Sequence, residues 1–99
     1  MTKEFSDLKG IVHELRNKCP WDKEQTLHSL RDNIVEEAGE AKKAIEQDDK
    51  ENLKEELGDV ILVALMLAEI AEEKGFFTLT DSLKLVSEKM KGRHPHVFG

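Results

Sequence analysis

Residues 60–71 read VILVALMLAEIA, a helix-length run in which only Glu69 interrupts the apolar side chains. A helix at the surface of a small bundle shows a polar face. This one is apolar on nearly every side and has to be covered all round. The few short helices of one chain can hardly do that, so the run predicts burial against a second copy, in a dimer or a larger assembly. It does not predict a membrane span, because no segment reaches about eighteen uninterrupted apolar residues. The opening MTKEFSDLKG has no apolar run of signal-peptide length, and the single cysteine, Cys19, cannot form an internal disulfide. Both point to the cytoplasm and to no membrane partner.

The remaining pattern is helical as well. Phe5, Leu8, Ile11, Val12 and Leu15 recur three and four residues apart, predicting a helix from about Thr2 to Lys18 that CPWD ends, since proline cannot continue a helix. Leu30, Ile34, Ala41, Ala44 and Ile45 predict a second helix, capped by Thr26 or Ser29 and reaching Gln47. Asp48 or Asp49 then caps a third helix over Lys50–Lys74, stopped by Gly75, and a connection this short makes the two an antiparallel hairpin. Thr80 or Asp81 caps a fourth helix through Lys91, with Leu83, Val86 and Met90 facing inward, and the final GRHPHVFG is expected to be extended. Tyrosine is absent and tryptophan occurs once, which disfavours sandwiches and barrels. The expectation is therefore an all-α fold. It is an antiparallel bundle of about four helices, one domain over residues 1–99, assembled into a dimer or tetramer.

Within this helical frame the acids are unevenly placed. Two stretches, EEAGE at 36–40 and EELGD at 55–59, set carboxylates among apolar stripes. At roughly 100° per residue, Glu37 lies within about 60° of Leu30, Ile34, Ala41 and Ala44. By the same count Glu56 lies within about 40° of Val60, Val63 and Leu67, with Asp59 about 60° away. Glu36 and Glu40 share one flank, and Glu55 points away. Most helical acids are solvated or paired with lysine. That suits Glu46, Glu51, Glu55, Glu72 and Glu73, but it fits Glu37, Glu40, Glu56 and Asp59 poorly, because an unpartnered anion near a core is costly. No lysine or arginine shares those stripes. Two carboxylates from each arm of one hairpin suit a hard divalent cation, Mg²⁺ above all, which takes a few carboxylates and completes its shell with water and phosphate oxygens. Gly39 and Gly58, one in each stretch, would let the arms approach closely. The net charge of −6, from 21 acidic and 15 basic residues, excludes a general nucleic-acid backbone binder but not a small phosphorylated ligand bound through a metal.

CPWDKEQT at 19–26, EEAGE, EELGD and RHPHVFG at 93–99, in that order, make the chain resemble the MazG family of nucleoside triphosphate pyrophosphohydrolases over about residues 5–99. The family pattern, EExxE followed by ExxD, is matched by Glu36, Glu37, Glu40, Glu56 and Asp59. The resemblance implies an all-α fold related to dimeric dUTPases, with helices of paired subunits building the site. It also implies Mg²⁺-dependent cleavage of the α–β bond of a nucleoside triphosphate to monophosphate and pyrophosphate, in the cleansing or control of nucleotide pools, with Mn²⁺ as a possible substitute. Glu37, Glu40, Glu56 and Asp59 become the implied metal ligands, and Glu36 either supports them or handles the attacking water.

Four further features stay open between a site and a structural role. Lys89 and Arg93, one helical turn apart, are either phosphate contacts or a solvated helix end. Trp21 either stacks on a base or anchors packing. His94 and His96 suit structural or phosphate-contact roles better than a metal, and Cys19 suits a buried thiol. His13 and His28 carry no usable pattern. The alternative to an enzyme is a weak or degenerate copy, a helical module that binds nucleotide or dimerises without turnover.

Overall fold

Each long helix opens on a side chain that satisfies its first free N–H groups, and in the computed structural model of the protein, which describes residues 2–99, these caps set the boundaries. Helix α1 (Lys3–Lys18) starts at Thr2, whose hydroxyl accepts from the Phe5 N–H at 3.2 Å. Helix α3 (Leu27–Glu46) starts at Thr26 in a reciprocal box with Ser29. Asp49 caps α4 (Lys50–Glu73) by accepting from the Asn52 N–H at 3.1 Å. Asp48, at φ 53°, makes the reversal between α3 and α4, and Gly75, at φ 71°, ends α4.

Three expectations need correction. The fourth long helix, α5 (Leu79–Arg93), is capped not by Thr80 or Asp81 but by Thr78. Thr78 accepts from the Asp81 N–H at 3.2 Å while the Asp81 carboxylate accepts from the Thr78 N–H at 2.9 Å. The backbone N–H of Thr78 holds the Asp81 carboxyl below its ordinary range. The two prolines end helices but also begin them. Pro20 opens a short α2 (Pro20–Glu24), and Pro95 opens α6 (Pro95–Phe98) where an extended tail is expected. At a first helical position the missing N–H costs nothing and the fixed φ already suits the helix. Among the described residues there is no strand, and no helix is long and apolar enough to cross a membrane.

The core is small and lies between α1, α3 and α4. It holds Val12 from α1, Leu30, Ala41 and Ala44 from α3, and Val63, Leu65, Ile70 and Ala71 from α4. Helices α3 and α4 pack along each other as the antiparallel hairpin, and α1 lies on α4. Helix α5 buries nothing. Its expected inner residues Leu83, Val86 and Met90 are 42%, 45% and 38% exposed, and it touches α4 and α6 but not α3. The radius of gyration, 15.5 Å, exceeds the roughly 13 Å of a compact chain of this length because α5 stands off the body. On α4 itself Leu57, just before the apolar run, and Ile61 within it remain 50% and 45% exposed, while the other large side chains of the run are buried or half-buried.

A candidate metal centre between α3 and α4

The hairpin brings one acid of α3 against two of α4. Glu37, Glu56 and Asp59 are each half-buried, and each offers a carboxylate oxygen within 4.8 Å of the others. Their positions follow from the reversal at Asp48 and Asp49. Glu37 lies about as far before it as Asp59 lies after it, so antiparallel packing sets them level, and Glu56 sits one turn from Asp59 on the same face.

Among the described residues no lysine, arginine or histidine pairs with the cluster. The ion pairs among the described residues join Lys3 to Asp7, His13 to Glu69, Arg16 to Glu73, Lys18 to Glu14, Lys42 to Glu46 and Lys54 to Glu51. Glu56 Oε2 is buried without a hydrogen-bond partner. Burial is the first cause that pushes the Glu56 carboxyl above its ordinary range. A hydrogen bond with Glu37, which forms only where one of the two carboxyls carries a proton, adds to the rise, as does repulsion from Asp59, Glu37 and Glu40. A carboxylate oxygen with no donor, beside two further carboxylates and no lysine or arginine, fits a hard divalent cation.

The other expected site residues fall outside this triad. Glu40 is exposed, although its charge reaches Glu56, and Glu36 is exposed on the same flank one turn away. Glu55 is exposed, away from the cluster. Lys89 and Arg93 are exposed on α5, which meets the body where Leu79 packs by Leu65, Ala68 and Glu72, at the opposite end of α4 from Glu56. Trp21 is 54% exposed on α2. His94 Nδ1 lies 2.7 Å from the Met90 carbonyl at the end of α5. Gly39 and Gly58 do not serve the close approach expected of them, because a Cβ on either would meet nothing within 4 Å.

Two residues without a role in the sequence pattern join α1 to α4. His13 Nδ1 lies 2.6 Å from Glu69 Oε1, and that hydrogen bond is the main cause raising the His13 pKa. Arg16 donates to both carboxylate oxygens of Glu73. A signal for the first existed: Glu69 alone breaks residues 60–71, and a half-buried carboxylate there needs a partner.

A family model described as the MazG nucleotide pyrophosphohydrolase domain matches residues 25–98. Among curated relatives, the uncharacterized protein YabN of Bacillus subtilis is 50% identical over 96% of this chain and 20% of its own length. The nucleoside triphosphate pyrophosphohydrolase/pyrophosphatase MazG of Thermotoga maritima is 43% identical over 96% of this chain and 38% of its own. The nucleoside triphosphate pyrophosphohydrolase of Escherichia coli K12 is 42% identical over 96% and 37%. The chain thus spans less than two fifths of the length of these relatives. The crystal structure of a MazG-related protein from Thermotoga maritima superposes with a TM-score of 0.84 at 32% identity, over 94% of this chain and 82% of that one.

Proposed function

The chain belongs to the MazG nucleotide pyrophosphohydrolase family, and from that premise we propose that it hydrolyses the α–β anhydride of nucleoside triphosphates, releasing the monophosphate and pyrophosphate, with Mg²⁺ held by its acidic cluster. The observation that carries this reading is the convergence of Glu37, Glu56 and Asp59, with Glu56 Oε2 unpartnered and no ion pair to these acids among the described residues. Glu37, Glu56 and Asp59, with Glu40 alongside, would hold Mg²⁺, which would supply positive charge against the phosphate oxygens and make water more acidic.

The chain's own groups do the rest. Glu36, exposed on the flank of α3, orients a water and takes its proton. The water oxygen joins a phosphorus of the α–β anhydride, the anhydride bond breaks, and pyrophosphate departs. Little covalent work is asked of the protein; positioning and charge supply most of the rate. Trp21 offers its exposed ring to the base.

Lys89 and Arg93 bind phosphate in this reading, yet α5 leaves the body away from the acids and does not touch α3. They therefore come to the cluster from a second copy. The apolar face of α5 and the exposed Leu57 and Ile61 of α4 are the surfaces such a copy would cover. The test is pyrophosphate release from a panel of nucleoside triphosphates in Mg²⁺ or Mn²⁺. Release that disappears in Glu37→Gln and Glu36→Gln supports the reading. Nucleotide binding without product, or no release from any triphosphate, overturns it in favour of a non-catalytic module.

A further inference from the structure

Among the described residues Arg16 makes the most side-chain hydrogen bonds. It is only 17% exposed. On one side Nε and Nη2 donate to the Glu73 carboxylate of α4 at 2.6 and 3.2 Å. On the other, Nη1 donates to the backbone carbonyls of Asp22, Lys23 and Gln25 at 2.6, 3.1 and 2.8 Å. Those carbonyls are the open end of α2 and the link into α3, where helical partners run out; that of Asp22 also accepts from the Gln25 N–H at 3.2 Å.

Helix α2 depends on these bonds. It has five residues, where an isolated helix needs about 12–15 to hold itself in water. It buries no side chain and packs on α1 alone. The crevice between Arg16, Asp22, Gln25 and the core measures about 10 Å³, room for no more than about one water, so the guanidinium has little freedom. What this pinned segment displays is Trp21, the one tryptophan of the chain, about half of it open to solvent. From Leu27, just after α2, to Glu37 is ten residues of helix, about 15 Å along the axis. A nucleotide that meets Trp21 with its base and the acids with its phosphates therefore has to lie extended along α3.

We propose that Arg16 is a positioning residue for the base end of the substrate, acting through α2 to hold Trp21 where it stacks. The proposal rests on the pyrophosphohydrolase reading and adds to it a determinant of base-side affinity. Lysine in place of Arg16 keeps the charge but, as a point donor, cannot join Glu73 and three carbonyls at once.

The experiment is steady-state pyrophosphate release by the whole chain with each of the four common deoxynucleoside triphosphates in Mg²⁺. Trp21→Ala raises KM about tenfold, the loss of one stacked base, with kcat changed little. Arg16→Lys raises KM about fivefold, and in the Trp21→Ala background it raises KM no further, because the two act on one contact. Glu73→Gln is the second variant, since it leaves every carbonyl bond in place and is safe for folding. It raises KM less, and that rise also vanishes without Trp21. A purely structural role for Arg16 would instead lower kcat or stability equally in both backgrounds. KM changes that add, or a Trp21→Ala variant with wild-type KM, overturn the proposal and leave the hydrolase reading standing. A wild type that releases no pyrophosphate overturns both.

Discussion

Replacing Asp59 by Asn removes one charge from the acidic cluster and keeps its shape. Asp59 contributes one of three carboxylate oxygens that lie within 4.8 Å of one another, so an amide there takes away one of three anionic ligands. Divalent affinity depends on the number of charged ligands, and the loss of one lowers it about 100-fold. At a Mg²⁺ concentration about 100 times the wild-type Kd, binding adds about 2.7 kcal/mol to the folded state, roughly 10–20 °C in Tm for a chain of this size. At that same concentration Asp59→Asn sits near its own Kd and gains only about 0.4 kcal/mol, or about 2–3 °C. The assay is a thermal melt at fixed protomer concentration, with chelator and then with Mg²⁺, beside a far-ultraviolet spectrum showing that the helices persist. Pyrophosphate release should be lost in the same variant. An equal Mg²⁺-induced rise in wild type and variant would refute the reasoning, because the ion would then be bound elsewhere.

The contact of α1 with α4 through His13 and Glu69 gives a pH dependence. The folded His13 pKa is raised above 6.5, chiefly by its hydrogen bond to Glu69, so its stabilisation is full below 6.5 and is lost as pH rises through the folded value. Urea midpoints across that window should fall with pH in the wild type and lose this component in His13→Gln; an unchanged slope would exclude the pair as its source. Gly39→Ala should raise stability by up to about 1 kcal/mol, because the added methyl meets nothing within 4 Å and alanine favours helix. A fall in its urea midpoint would mean that another copy occupies that surface. Leu57 is half exposed, so Leu57→Glu should cost a single chain no more than about 0.5 kcal/mol while shifting the assembly toward monomer in sedimentation velocity. A wild type that sediments as a monomer at micromolar concentration would contradict self-association outright.

Much of the fold is legible residue by residue because its determinants are local. Thr26 and Asp49 announce α3 and α4 by side-chain oxygens placed to accept from N–H groups three residues on. Failures of the same reasoning are informative. Pro20 and Pro95 were expected only to stop helices, yet each also opens one, since a proline's effect depends on whether the chain turns helical after it. Leu83, Val86 and Met90 have the spacing of an inner face, and within one chain that face meets solvent. Periodicity marks which side of a helix is apolar but not what covers it. Glu40 shares a motif with Glu37 and is exposed where Glu37 is half-buried, a difference that about 60° of helix rotation sets, while its charge still acts on Glu56.

What the sequence by itself determined is the set of four long helices and the presence of Glu37, Glu56 and Asp59 on apolar faces. Both follow from the 3.6-residue turn and from capping, which involve residues a few positions apart. Only the tertiary structure decided that these three carboxylates converge, that α5, which carries Lys89 and Arg93, does not pack on α3, and that Arg16 ties α2 to Glu73. These are distances between residues from 3 to 57 positions apart, and they depend on how helices are rotated and crossed against each other. Spacing along a chain sets no such angle; the packing of side chains from several helices at once does.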